Sequence, residues 1–527
     1  MTDLTSEIVR ARRHTIGDLL DRAAKLYPDK LAVAHNDVRQ TYAQLDETVN
    51  RFANALAQRG VVQGDRIAIL SHNSHAFVVA YYALAKLGAI SVPVNFMLVG
   101  PEVAYILGQC EAKGILVEPA LVQVAADALT EPAVDAAMTL RAGLGDCGPG
   151  WEDALAWMDH PDAAAPDVEI SDDDCLQLLY TSGTESRPKG AMMASRNLIA
   201  QYLSCTVDGE MAHEDIEIHA LPLFHTAALH ACLSTDIYVG ATSIILDGPD
   251  PAAMLAAVER ESATKLFSPP TVWISLLRHP DFDTRDLSSL RKGYYGAASM
   301  PVEVLQELAR RLPDVRLFNC YGQTEMSPLA TCLGPDDQMR KAGSAGRPCI
   351  NVETILVDDD DNPVPVGTAG EIVHRGPHVM LGYWNDPERT AEAFRNGWFH
   401  SGDLGVFDDE GYLTIVDRKK DMINTGGENV ASREVEEMIY EHPAVAEVAV
   451  FALSHPKWIE AVTAAIVAKP GESLTAQEIT EFCRERMAPY KVPKYVVIED
   501  QLPKNPSGKL LKRDMRLTYQ SLVDDES

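Results

Sequence analysis

Apolar residues recur at three- and four-residue intervals over 16–27, a run that Pro28 closes. They recur again over 41–59, where Leu45, Val49, Phe52 and Leu56 share one face before Gly60. That spacing predicts two amphipathic helices. Residues 66–70 read as a strand, 74–87 as a helix stopped by Gly88, and 89–94 as the next strand. Strand–helix–strand at this spacing predicts a parallel sheet covered by helices. The segment 151–170, rich in Asp, Ala and Pro, reads as a surface connection. A short apolar run at 175–179 predicts a buried strand, and 195–203 a helix start. The alternation then resumes, with strands expected at 217–221, 242–246, 265–267 and 317–320. Between 351 and 383 the pattern changes to short runs around the turn DDDDNPVPVG, which predicts a small antiparallel unit. A further strand is expected at 412–416. After Asp417-Arg418-Lys419-Lys420 the chain restarts, with helices at 432–440 and 475–487 and strands at 445–453 and 461–467. The expected fold class is α/β: an N-terminal domain, 1–419, of parallel-rich sheets under helices with a small β unit, and an α+β C-terminal domain, 420–527.

Composition narrows the function classes. The chain has 527 residues, 46% hydrophobic and 23% charged, which fits a globular protein of several domains. A net charge of −31 opposes nucleic-acid binding, which needs a basic face, and opposes docking on an anionic membrane by bulk charge. The nine cysteines are scattered without a C-x-x-C pair, which predicts reduced thiols and a cytoplasmic location. The N-terminus carries acidic residues and no apolar core, so it does not read as a secretory signal. The most membrane-like stretch, 76–94, contains Lys86, Gly88 and Pro93 and reads as a buried helix followed by a strand. The run Asp358–Asp361 lacks the Gly and terminal Glu of a calcium loop and reads as a solvated turn.

The chemistry centres on 180–190, YTSGTESRPKG. Thr181, Ser182, Gly183, Thr184 and Ser186 offer hydroxyls and backbone N–H groups in a short span, and Lys189 adds a point charge. Oriented N–H groups form an anion-binding concavity, so the loop suits phosphate oxygens. The nucleotide loop G-x-x-x-x-G-K-[ST] is excluded, because Lys189 precedes Gly190 and Ala191 follows. The stretch resembles the phosphate loop of the adenylate-forming superfamily, which comprises acyl-CoA synthetases, luciferases and the adenylation domains of peptide synthetases. Two positions depart from the usual TSGTTGxPKG, with Glu185 for Thr and Ser186 for Gly. A carboxylate about 4 Å from a phosphate charge costs roughly 4 kcal/mol at an effective dielectric near 20, so Glu185 is expected to point away from the phosphates or toward Mg²⁺.

Further stretches match the family in order. The resemblance implies that Tyr321 of YGQTE stacks on adenine, that Thr324 contacts phosphate beside Gly322, and that Glu325 holds Mg²⁺ together with Thr184. Gly296-Ala297-Ala298 resembles the adenine-binding wall. Ser401-Gly402-Asp403-Leu404 resembles the ribose-binding stretch, with Arg418 reaching the same nucleotide and Lys420 at the bend between domains. Gly426-Gly427-Glu428 resembles the loop lining the pantetheine tunnel of CoA, and Ile459 stands downstream where the family usually has Gly. Lys509, on the tip 503–509, matches the lysine that carries the first half-reaction; its ammonium can bridge carboxylate and α-phosphate as charge develops. The resemblance implies that Phe224-His225 lies beside the reacting acyl group. Amino-acid-activating relatives place an Asp there, and a buried ammonium without an anion is costly, so an amino-acid substrate is disfavoured.

The resemblance covers nearly the whole chain. It implies an ATP-dependent acyl-CoA ligase using ATP, Mg²⁺ and coenzyme A, with Lys509, Thr184, Glu325 and His225 at the chemistry and a mobile C-terminal domain. The substrate expected first is a medium- or long-chain fatty acid, because Phe224, Ala297, Cys320, Gly322, Leu329 and Ala330 offer an uncharged wall. The alternatives are an aryl acid of the cinnamate or benzoate type, or loading of a separate carrier protein. The expected partners are a small carboxylic acid, ATP and CoA, with no nucleic acid and no integral membrane segment; a homodimer is allowed.

Overall fold

The computed structural model describes residues 4–181, 188–298, 300–419, 421–425, 428–504 and 510–524. The first predicted elements form where the pattern placed them, and local chemistry closes their ends. Helix Tyr42–Gln58 starts at Thr41, whose hydroxyl accepts from Gln44 N while the Gln44 side chain returns to Thr41 N. The Ser74 hydroxyl caps helix His75–Leu87 by accepting from Phe77 N, and Gly88 ends it at φ +67°, a conformation glycine adopts without a Cβ penalty. Helix His75–Leu87 is buried on nearly every side, which explains its membrane-like composition. Its one cation, Lys86, is held by Asp21, Asp46 and Asn50. Among the described residues no helix is long and apolar enough to cross a membrane.

Two large sheets carry the N-terminal domain. The first has nine strands, running from Arg347–Pro348 through Leu329–Leu333, Arg316–Gly322, Lys292–Gly296, Lys265–Phe267, Ile216–His219, Thr242–Ile245 and Leu31–His35 to Val38–Thr41. Its six central strands are parallel, so their carboxyl ends share one edge. The second has eight strands, in the order Gly382–Tyr383, Lys189–Ala194, Cys175–Thr181, Ile90–Pro93, Arg66–Leu70, Gly114–Val117, Leu140–Gly143 and Glu152–Asp153. Asn73 fastens the two sheets together: its amide donates to Leu221 O and Leu246 O, and its carbonyl accepts from Leu223 N.

One element departs from expectation. The residues after the phosphate loop continue as strand Lys189–Ala194, antiparallel to Cys175–Thr181, before helix Ser195–Val207 begins. The two strands on either side of the loop therefore pair as a hairpin, where a strand-to-helix turn was expected. The predicted β unit is present as Glu353–Val357 antiparallel to Gly370–Arg375, extended by Trp398–Phe407 and Leu413–Arg418.

A smaller domain, mostly β, completes the chain. Its sheet sets Val445–His455 against Ile459–Ala468, with Tyr495–Glu499 parallel to the latter and the hairpin Ile423–Thr425/Glu428–Val430 at one end. Helices Ser432–Tyr440 and Ala476–Arg484 cover it, and their buried Val435, Ile439, Ile479 and Cys483 meet Val448, Val450 and Val462. All nine cysteines of the chain are free thiols.

A fully buried ionic group joins strands Ile216–His219 and Lys265–Phe267 to helix Thr235–Val239. Lys265 Nζ sits 2.8 Å from Glu217 Oε2 and 2.5 Å from Asp236 Oδ1, and His219 Nε2 lies 3.0 Å from Asp236 Oδ2. Glu217, His219 and Asp236 form a donor set of the kind that holds a metal ion, but the Lys265 ammonium touches both carboxylates. Burial raises the Glu217 carboxyl to about 7 despite the lysine.

Candidate active site

Sites in open α/β sheets gather at the carboxyl ends of strands. Four of the motifs singled out in the sequence sit on those ends. Strand Cys175–Thr181 brings Thr181 opposite Lys189, closing the base of the loop. The loop residues Ser182, Gly183, Thr184, Glu185 and Ser186 lie outside the described residues, as do Lys420, Gly426, Gly427 and Lys509. Strand Lys292–Gly296 ends at Gly296, the register partner of Cys320, and delivers Ala297 and Ala298 to solvent. Ala297 is held at φ +64°, a conformation that costs a non-glycine residue on the order of 1 kcal/mol and is typical of functional sites. Strand Arg316–Gly322 ends at Tyr321-Gly322. A Cβ on Gly322 would lie 1.9 Å from Pro328 O, so the chain has no room for a side chain there.

A row of contacts joins these strand ends to the small β unit. The Tyr321 hydroxyl donates to Asp403 Oδ2 at 2.8 Å, and Arg418 Nε lies 3.5 Å from Asp403 Oδ1. Asp403 and Arg418 are register partners on adjacent strands, which fixes this row. Burial, and then the Asp403 charge, keep the Tyr321 phenol protonated well above its ordinary range. Asp403 is buried, with its N–H donating to Ser401 Oγ at 3.1 Å.

The next turn, Thr324–Met326, holds Glu325 almost out of solvent. The Tyr383 hydroxyl donates to Glu325 Oε1 at 2.8 Å, and Met380 N donates to Glu325 O at 2.9 Å. The ring of Tyr383 carries Lys189 Nζ 4.7 Å from its centroid. Sequence reasoning missed Tyr383; the only local signal was the aromatic pair Tyr383-Trp384 after Gly382 in a polar stretch. A hard cation such as Mg²⁺ takes one or two carboxylates, phosphate oxygens and water. The Glu325 carboxylate fits that demand: one oxygen is steadied by Tyr383, and no other described side chain donates to it.

Farther along the same edge, the loop after Ile216–His219 presents Phe224 and His225, both partly exposed. His225 N donates to Pro222 O at 3.0 Å and its carbonyl accepts from Leu229 N at 3.0 Å. The segment that follows, Ala227–Ser234, is wound as a π-helix, a form that recurs at functional sites. Its Ala228, Leu229, His230 and Cys232 are buried, whereas Ala227 and Ala231 are partly exposed. Phe224 meets Phe96 edge-on at 5.2 Å, and Phe96 lies against His72 at 4.1 Å.

In the C-terminal domain, Glu428 is exposed and pairs with Thr425 across the hairpin. Ile459 pairs with Thr425 at its base and holds φ +68°. That conformation suits glycine and strains a β-branched residue, so the unusual Ile459 carries a backbone cost. Ile459→Gly is expected to stabilise this domain by about 1 kcal/mol, the strain relieved less the added entropy of glycine. The check is the thermal midpoint of the full chain followed by a probe in this domain; a lower midpoint would contradict it.

Known proteins resemble this chain along nearly its whole length. Residues 20–384 match the model of the AMP-binding enzyme family and residues 434–509 that of the AMP-binding enzyme C-terminal domain. The chain is 38% identical to a feruloyl-CoA synthase of Amycolatopsis sp over 96% of its length and all of that protein. It is 36% identical to an indoleacetate–CoA ligase of Aromatoleum aromaticum, over 95% of this chain and 97% of that one. To a long-chain fatty-acid–CoA ligase of Mycobacterium tuberculosis it is 35% identical, over 96% of this chain and 99% of that one. Among solved structures, an anthranilate–CoA ligase in complex with anthranoyl-AMP superposes with a TM-score of 0.89 at 27% identity, covering 97% of this chain and 98% of that one. The chain therefore belongs to the AMP-binding, adenylate-forming family and is an ATP-dependent ligase that joins an acid to a thiol.

Proposed function

We propose that the protein converts an aryl carboxylic acid to its CoA thioester through an acyl-adenylate. Tyr321, with Gly296, Ala297, Ala298 and Gly322, receives the adenine, and Asp403 with Arg418 receives the ribose. The hairpin tip from Thr181 to Lys189, with Ser182, Gly183 and Thr184, cradles the phosphates beside Thr324. Glu325 and Thr184 are the residues that would hold Mg²⁺, which when bound neutralises phosphate charge. The acid lies beside His225. Its carboxylate oxygen attacks the α-phosphorus, the bond to pyrophosphate breaks, and the Lys509 ammonium stabilises the charge that develops between them. The C-terminal domain, 420–527, then turns about Lys420, withdraws Lys509 and brings Gly426-Gly427-Glu428 to the cleft. The CoA sulfur attacks the acyl carbon and AMP leaves.

The aryl reading replaces the fatty acid as the first choice. Its main support is similarity along the full chain to ligases named for feruloyl, indoleacetyl and anthranoyl groups. The wall beside His225 agrees with it: Ala227 and Ala231 are the partly exposed positions of a largely buried helix, and two methyl groups leave room for a flat ring. The fatty-acid ligase at 35% identity keeps the other reading testable. Pyrophosphate release from a panel of aryl and straight-chain acids, with and without CoA, decides. A hydroxycinnamate or similar aryl acid is expected to exceed C8–C16 fatty acids by about tenfold or more in kcat/KM. The reverse order would restore the fatty acid, and a thioester formed only on a carrier protein would exclude the CoA ligase.

A further inference from the structure

The geometry points to Tyr383 as a positioning residue that couples the acidic and basic sides of the phosphate site, aiming the Glu325 carboxylate and seating the Lys189 ammonium. This inference rests on the reading of Glu325 as the carboxylate that holds the divalent cation.

Three observations carry it. The Tyr383 hydroxyl, buried, donates to Glu325 Oε1 at 2.8 Å and takes up one lone pair of that oxygen. Its ring face lies 4.7 Å from Lys189 Nζ, within range of a cation–π contact. Its backbone is fixed on both sides. Tyr383 is the register partner of Ala191, Trp384 N donates to Gly190 O at 2.8 Å, and Tyr383 N donates to Thr390 Oγ1 at 2.9 Å. One rigid side chain thus touches the anion and the cation that the phosphate groups must fit between.

The chemistry suits positioning better than proton transfer. A phenol is protonated at neutral pH, so the Tyr383 hydroxyl stays a hydrogen-bond donor to the carboxylate. A carboxylate free to turn loses orientation entropy when it captures a hard cation; one oxygen tied to a fixed phenol leaves the other aimed. Lys189 without the ring is a flexible charge on a four-carbon stem. Among the described contacts Glu325 and Lys189 do not pair with each other, and Tyr383 bridges them.

The test is calorimetric binding of α,β-methylene ATP to the full chain, with saturating Mg²⁺ and again with EDTA. Tyr383→Phe keeps the ring and removes only the hydroxyl. It is expected to weaken binding with Mg²⁺ on the order of tenfold, the worth of one hydrogen bond to a charged group, and to leave binding in EDTA unchanged. In a Glu325→Gln background the same change should have no further effect. Tyr383→Leu should also weaken binding in EDTA, because the seat for Lys189 is gone. Wild-type affinity for Tyr383→Phe, or an equal loss in the Glu325→Gln background, would overturn the inference. A lowered unfolding temperature with unchanged affinity would assign only packing and would also overturn it. If Glu325→Gln itself leaves Mg²⁺-dependent binding intact, the reading of Glu325 fails instead, and the two failures are told apart.

Discussion

Lys509→Ala should lower acyl-adenylate formation by about 10²–10³-fold, the range seen when one group stabilising transition-state charge is removed. The same variant, supplied with synthetic acyl-AMP and CoA, should form thioester at close to the unmodified rate. The split follows from the chemistry. Only the first step develops negative charge between a carboxylate and an α-phosphate, and only that step needs an ammonium between them. Pyrophosphate release measures the first step and thioester absorbance the second. Equal loss of both would sink the picture of one cleft served by two arrangements of the C-terminal domain.

Lys265→Met should cost about 3–5 kcal/mol of stability, because it removes the ammonium that touches both Glu217 and Asp236 and leaves two neighbouring carboxyl groups in the buried interior. A methionine fills much the same volume, so the loss is electrostatic and not a cavity effect. Urea unfolding followed by a probe in the N-terminal domain measures it. Replacing Lys265, Glu217 and Asp236 together by apolar residues should recover much of the loss, since an apolar group of equal shape avoids desolvation altogether. A single variant as stable as the parent would show that the three charges are not mutually dependent.

Helix 42–58 was legible because one face is buried, helix 75–87 because its apolar run is bounded on both sides, and both because their ends carry their own caps, Thr41, Ser74 and Gly88. Strand Lys189–Ala194 was not. Its Lys-Gly-Ala-Met-Met-Ala has neither alternation nor β-branched residues, and it is a strand because Cys175–Thr181 and Gly382–Tyr383 flank it on either side. Tyr321, Asp403 and Arg418 could be named from motif order, and the register of 398–407 against 413–418 brings the last two together. Tyr383 could not, because what it does comes from two contacts, one 58 residues upstream. Ile459 was visible as an odd residue, but its meaning needed a backbone angle.

The strand Leu413–Arg418 has a mechanical consequence. It pairs in register with the strand that carries Asp403 and is also the stem from which the remaining chain departs, since Lys419 N still donates to Gly402 O at 2.9 Å. On the proposed mechanism, a ribose bound at Asp403 would act on the root of the C-terminal domain through backbone pairing alone. On that mechanism, occupancy of the nucleotide seat and the turn of the C-terminal domain would share one ribbon of backbone.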